Sequence, residues 1–175
     1  MTSSLPLSPD HAARLLLASM ETLRREAEEL GDEALSWHPA EGEWCVNEVV
    51  GHLIEAEERG FRGQIGRIIA EPGRKLIDWD PPEVTKGRRD CEKDGMALLR
   101  MLEQDRAQGV RLIGTLTSDQ LLLTGEHPLV GTLSVIDLLH EWVHHDRNHV
   151  KQALSITQSY VWQHMGNARR FADFD

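Results

Sequence analysis

The sequence predicts an all-α fold, a four-helix bundle with a short additional C-terminal helix. Three observations predict it. Apolar residues recur at spacings of three and four along four separate stretches. The β-branched residues fall on those same stripes rather than alternating, so no sheet is expected. Joints rich in Pro, Gly and Asp part the stretches. A chain of 175 residues, 40% apolar, fits one domain over residues 1–175 with one core of useful size. Neither an internal repeat nor a low-complexity segment interrupts it.

The first helix starts after Ser8-Pro9-Asp10, where Ser8 can cap and Pro9 suits the first turn. Leu16, Met20, Leu23, Ala27 and Leu30 form its buried stripe, and Gly31 supplies a stop. A joint follows, "DEALSWHPAEGEW" at 32–44. The second helix runs from Cys45 or Asn47 to Ala70, burying Val49, Val50, Ile54, Phe61, Ile65 and Ile68. A thiol caps a helix poorly, which favours the start at Asn47. Stretch 71–89 holds Pro72, Gly73, Pro81, Pro82 and Gly87 and reads as a loop. It is long for a bundle connection, where ~2–8 residues is usual, and such loops often cover a site. The third helix runs from Asp90 to about Leu116, with Leu99, Leu102, Val110 and Ile113 inward. The joint "TSDQLLLTGEHPLVG" leads to Thr132 or Ser134 as caps. The fourth helix extends to about Ile156, and a shorter helix covers 158–172. The expected connectivity is up-and-down or with one crossover.

Charge narrows the function. Twenty-nine acidic against nineteen basic residues give a formal net charge of −10. Such a surface repels phosphate backbones, so neither nucleic acid nor an anionic membrane is an expected partner. No apolar run approaches the ~20 residues that span a bilayer. The N-terminus lacks the basic start and apolar run of a secretory signal. A cytoplasmic location is expected, with Cys45 and Cys91 reduced, although the sequence leaves a bond between them open. No GxSxG, P-loop, GxGxxG or HExxH motif is present.

The chemistry lies in "HEWVHHDRNHVKQ" at 140–152, which holds four of the nine histidines. Leu138, Trp142, His145, His149, Gln152 and Ile156 advance by four and three along one stripe. His145 and His149 therefore share the core-facing side, one turn apart. Residues at i and i+4 have Cβ atoms ~5–6 Å apart, close enough for two imidazoles to share an ion at ~2.0–2.1 Å each. His140 and His144 point about 140° away, at roughly 100° of rotation per residue. Bundle metal sites draw ligands from facing helices. The second helix offers His52, set in an apolar run beside Gly51, whose lack of a side chain admits another element closely. A lone histidine there would need its ring nitrogens satisfied.

Three stretches make the chain resemble the DinB/YfiT-like superfamily of small metal-binding four-helix bundles. They are "SWHPAEGEWCVNEVVGHLIEAEE" at 36–58, "GTLSVIDLL" at 131–139 and "HDRNHVKQ" at 145–152. Their order and separation match over nearly the whole chain. Carried over residue by residue, the family's three metal ligands fall on His52, His145 and His149. One departure is Cys45, where relatives commonly have Ser as the helix cap. The resemblance implies a divalent metal, zinc or nickel, on three imidazoles. Three protein ligands leave a position for water or substrate, the pattern of a catalytic site. The implied function is a metal-dependent thiol S-transferase or detoxification enzyme, acting on a small molecule with a low-molecular-weight thiol. The alternatives are a metal-dependent hydrolase on the same site and a non-catalytic metal or ligand-binding module. Bundles of this kind often dimerise through helix faces, which makes a homodimer the assembly to test.

Other residues carry weaker signals. Glu55, one turn after His52, reads as a solvated glutamate or as a partner or base for the site. Gln152 reads as a hydrogen-bond partner of a ligand or as the polar end of the stripe. Trp37, Trp44 and Trp142 read as packing. Trp79, in the long loop, reads as a pocket mouth or an interface residue. His127, just before the fourth helix, reads as an exposed loop histidine or as one that approaches the site. Cys45 reads as inert or as a functional thiol, the first favoured because no base stands near it in sequence.

Overall fold

The computed structural model of the protein describes residues 7–173, so the reading of residues 1–6 lies outside them. In chain order they form α1 (Pro9–Leu35), α2 (Val46–Glu55), a π-helical segment (Ala56–Arg62), α3 (Gly63–Ala70), the short α4 (Pro81–Arg88), α5 (Gly95–Thr115), the short α6 (Ser118–Leu121), the hairpin β1 (Thr124–His127) and β2 (Gly131–Ser134), α7 (Val135–Trp162) and a 3₁₀ segment (Gly166–Asp173). The four long columns are α1, α2 through α3, α5 and α7, as the periodicity predicts. Ser8, Asp94 and Ser134 cap α1, α5 and α7. Their side chains accept from the N–H groups of His11 (3.3 Å), Ala97 (2.8 Å) and Asp137 (3.2 Å).

Both α1 and α2 pack on α5 and α7, so the first two columns lie across a diagonal of the bundle. This is not the simple up-and-down order, in which consecutive helices are neighbours. The arrangement sets α2 directly against α7. One apolar cluster gathers Leu23, Leu53, Leu102 and Ile156; a second gathers Leu16, Ile65, Leu139 and Trp142.

Several boundaries differ from the sequence reading. At Gly31 the backbone turns to φ 73° and ψ 168°, yet the helix resumes to Leu35. Gly31 therefore kinks α1 rather than stopping it. Cys45 is the cap residue of α2, which starts at Val46 and not at Asn47. The missing hydroxyl is offset by Glu48, whose carboxylate accepts from the Cys45 N–H at 2.9 Å. Asn47 is buried instead, its amide donating to the Lys93 carbonyl at 3.1 Å. The third long helix begins at Gly95, not Asp90, because Asp90–Glu92 form a 3₁₀ turn and Asp94 supplies the cap. Residues 158–162 belong to α7, and among the described residues a 3₁₀ segment, not an α-helix, follows it.

The stretches read as loops are more ordered than expected. Within 71–89, Asp80 caps α4, accepting from the Glu83 N–H at 3.0 Å. The hairpin was not expected at all. It pairs His127 with Gly131 and Thr124 with Ser134 in antiparallel register. Residues 73–76 run along its outer edge: Leu76 N–H donates to Glu126 O and Glu126 N–H to Arg74 O, both at 2.9 Å. Gln64 of α3 fixes the next residue, its amide donating to Ile77 O. The connector is thereby held across α3 and α7.

The π-helical segment also escaped the sequence reading. Gly63 ends it, and a Cβ there would clash with the backbone carbonyl of Glu58, five residues earlier. Such wide turns are frequent at functional sites. This one buries Ala56, Glu57 and Phe61 together.

Candidate metal centre

Helix α2 presents His52 to α7, where His145 and His149 lie one turn apart. The structure brings all three together, with one ring nitrogen of each within 4.8 Å of the others. His52 Nε2 and His145 Nε2 are 3.0 Å apart. Ring centroids stand 4.4 Å apart for His52–His149 and for His145–His149. Among the described residues no cysteine or carboxylate joins this cluster. His52 is buried, and the other two are half-buried.

Burial sets the charge of the rings. Desolvation disfavours an imidazolium, and each ring would repel a second charge on its neighbours. His52 is lowered to about 3 and His145 to about 4, chiefly by burial. His149 is also lowered by burial, against the opposing pull of Gln152 and Asp146. At neutral pH all three are uncharged, the form in which imidazole binds a metal. Two nitrogens each ~2.0–2.1 Å from one ion can stand 3.0 Å apart, so the donor set fits a single divalent cation.

Different neighbours hold each ring. His149 Nδ1 donates to Gln152 Oε1 at 2.8 Å, which leaves Nε2 free to face the other histidines. Gln152 thus hydrogen-bonds a histidine of the cluster rather than only ending the stripe. His52 is held by aromatic faces: Trp79 stacks on it at 5.7 Å and Trp44 packs at 5.2 Å. Trp44 also stacks on His149 at 6.2 Å. Phe61 meets His145 edge-on at 5.2 Å. Nδ1 of His52 and Nδ1 of His145 are buried without a hydrogen-bond partner among the described residues. Apart from the Nε2 contact between them, packing rather than hydrogen bonding therefore orients these two rings.

A cavity of about 830 Å³ reaches the cluster at His145. Leu76, Ile77, Leu133 and Leu138 give it apolar walls, and Trp79 closes one side. Arg59, His127 and His140 add polar groups. The loop tryptophan and the pre-helix histidine thus both reach the site. His140 turns away from the cluster, its Nε2 3.3 Å from Leu7 O, and His144 is exposed beside Glu141. Glu55 pairs with Arg59 and Arg88. Burial acts to raise its pKa, but hydrogen bonds from Arg59 and Arg88 outweigh that and lower it. Gly51 admits Asp90: a Cβ there would lie 2.5 Å from Asp90 Cγ. Asp90 is fully buried and pairs with Arg88 Nε at 2.6 Å.

Sequence reasoning missed a buried charge network behind the site. Arg106 Nε donates to Glu57 Oε1 at 2.8 Å, and its two terminal nitrogens donate to Asp146 at 3.1 and 2.5 Å. Arg106 also donates to Leu16 O, and the Trp142 indole N–H to Glu57 Oε1. Burial pushes Glu57 up to about 7 despite Arg106, with the Asp146 charge adding to the rise. The available signal was Arg106 itself, four residues after Leu102 and three before Gly109 on an inward stripe. A guanidinium there demands acidic partners.

The profile of the DinB superfamily matches residues 15–153. The chain belongs to the DinB superfamily. YuaE of Bacillus subtilis strain 168, an uncharacterised protein, is 26% identical over 153 residues, covering 81% of this chain and 93% of YuaE. Among solved structures, YfiT from Bacillus subtilis has a TM-score of 0.79 at 20% identity, covering 93% of each chain. YfiT is described as a probable metal-dependent hydrolase with an unusual four-helix bundle topology. The colibactin self-resistance protein ClbS, solved with a double-stranded DNA, has a TM-score of 0.63 at 17% identity, covering 88% of this chain and 98% of ClbS. These structures share the DinB fold with this chain.

The cysteines depart from the expectation of two reduced thiols. Cys45 and Cys91 are joined as a disulfide. A base also stands near them: His38 Nε2 lies 3.3 Å from Cys91 Sγ. Pairing across 46 positions depends on how the connector returns to the start of α2, which residue spacing does not encode. No helix of the described residues is long and apolar enough to cross a membrane.

Proposed function

We propose that His52, His145 and His149 hold one divalent metal ion, and that this centre activates a nucleophile against a small, largely apolar substrate. The observation that carries the reading is the convergence of three neutral imidazoles where an apolar cavity opens. Zinc and nickel both suit imidazole donors. The bound cation would supply Lewis acidity, lowering the pKa of a thiol or a water. The chain's own residues do the rest. Gln152 fixes the tautomer of His149. Trp44 and Trp79 lock His52 and keep water from its face. Leu76, Ile77 and Leu138 take the apolar body of a substrate, while Arg59 and His127 bind polar ends.

The first reading is transfer of a low-molecular-weight thiol to an electrophile, a detoxification chemistry. A cavity of about 830 Å³ lies near the top of the range for one small ligand, ~300–1,000 Å³, and has room for two reactants. The second reading is hydrolysis, with water as the nucleophile, and the description of YfiT favours it. Duplex DNA is set aside: a net charge of −10 opposes phosphate, and ClbS shares the fold alone.

The test is a panel of electrophiles and esters given to metal-loaded protein, with and without added thiol. Turnover that needs thiol and is lost in His145→Ala supports transfer. Turnover without thiol supports hydrolysis. Metal uptake with no turnover in either arm would reduce the site to a binding module.

A further inference from the structure

The Cys45–Cys91 disulfide lies in a cluster with His38 and Glu48, apart from the three histidines. His38 Nδ1 is 2.6 Å from the Glu43 carbonyl oxygen, which can only accept, so Nδ1 carries a proton. In the neutral ring Nε2 is then an acceptor, aimed at Cys91 Sγ 3.3 Å away. The two sulfurs differ in access. Cys45 is 0% exposed, whereas Cys91 is partly exposed beside the half-exposed His38. Cys45 is also the cap residue of the ten-residue helix α2, where free N–H groups stabilise a thiolate.

We propose that this disulfide is an exchange site for low-molecular-weight thiols, opened by attack at Cys91. A thiolate forms a new S–S bond to Cys91 Sγ. The Cys45–Cys91 bond breaks, and its electron pair leaves on Cys45 as a thiolate at the start of α2. A second thiolate then attacks the small-molecule sulfur of the mixed disulfide, and Cys91 leaves as a thiolate beside His38. Protons released by the two attacking thiols are returned through solvent to Cys45 and Cys91. Two thiols are oxidised to one small disulfide, and the protein disulfide is reduced to two thiols.

The position gives the exchange a consequence. Trp44, next to Cys45, packs on His52 and His149. The connector that ends at Cys91 carries Trp79, which stacks on His52. Opening the bond unties the two segments that lay aromatic walls on the histidine cluster. The exchange chemistry itself stands on the cysteines and His38, and is independent of any metal.

Glutathione, reduced and oxidised, is the probe, and the full chain is the sample. Reduced glutathione should open the bond in folded protein, and peptide mapping should find the trapped adduct on Cys91. Cys45→Ser should take up one glutathione from the oxidised form, and Cys91→Ser should do so about tenfold more slowly because Cys45 is buried. Adding His38→Ala to Cys45→Ser should raise the pH midpoint of Cys91 alkylation by about one unit. Its rate near neutral pH should fall about threefold, a tenfold loss of thiolate partly offset by greater nucleophilicity. A bond that opens only in denaturant would overturn the proposal, as would an adduct on Cys45 or an alkylation profile indifferent to His38. If the variants do not fold, the wild-type adduct map decides.

Discussion

Glu57→Gln removes one charge from the buried network and keeps its shape. Arg106 grips both oxygens of Asp146 but only one of Glu57, so one positive charge serves two carboxyls. Glu57 Oε2 has no partner among the described residues. Burial accordingly raises Glu57 from its ordinary 4.5 to about 7. In the unfolded chain the group ionises near 4.5, so between the two values the folded protein holds the extra proton. Its contribution is full below 4.5 and is lost as pH rises through 7. From about pH 5.5 to about pH 8 the loss is about 1.4 pKa units' worth, or about 2 kcal/mol. Glutamine does not titrate and escapes this loss. Urea unfolding of both proteins at the two pH values measures it. The variant should gain about 2 kcal/mol on wild type at the higher pH, a large share of a total of ~5–15 kcal/mol. A difference that is constant with pH would mean that Glu57 stays ionised and that Arg106 neutralises both carboxylates.

Other consequences follow from the same structure. Gly51→Ala should cost about 1–3 kcal/mol or more, because its Cβ would meet the buried, paired Asp90; an unchanged melting temperature would contradict that close approach. His52 and His145 push the acid response in the opposite direction from Glu57. Their lowered folded pKa values add stability above 6.5 that is lost as pH falls toward 4 and 3. In metal-free Glu57→Gln protein, urea unfolding should therefore show about 3 kcal/mol less stability at about pH 5.5 than at about pH 7.5. A flat profile would mean that the rings are solvated. Gln152→Leu should weaken metal binding by about 10–100-fold in a competition titration with a chelating dye while the fold persists. Unaltered affinity would show that Gln152 does not orient His149.

The helices were legible because their stripes are long and regular. Leu138, Trp142, His145 and His149 keep phase over three turns, so two members of the cluster could be placed on the core side from spacing alone. His52 was legible for a different reason, an imidazole set in an apolar run. Gly51 was read as a point of close approach, and Asp90 fills that role. The unread parts depend on distant residues. Glu57 sits in the run Glu55–Glu58 and reads like the other glutamates of that run until Arg106 reaches it from α5. The hairpin is four residues per strand, too short to show alternation. The π-helical segment keeps nearly helical spacing, and only Gly63 against the Glu58 carbonyl betrays it. The disulfide required the connector to return to α2, which its Pro- and Gly-rich sequence does not specify.

Elemental analysis of untagged protein shows whether the three histidines hold a metal. A three-histidine centre should give about one divalent metal ion per chain in the wild type and lose it in His145→Ala, with α-helical content retained. A wild type that takes up no zinc or nickel, or a His145→Ala variant that keeps its full complement, would contradict it.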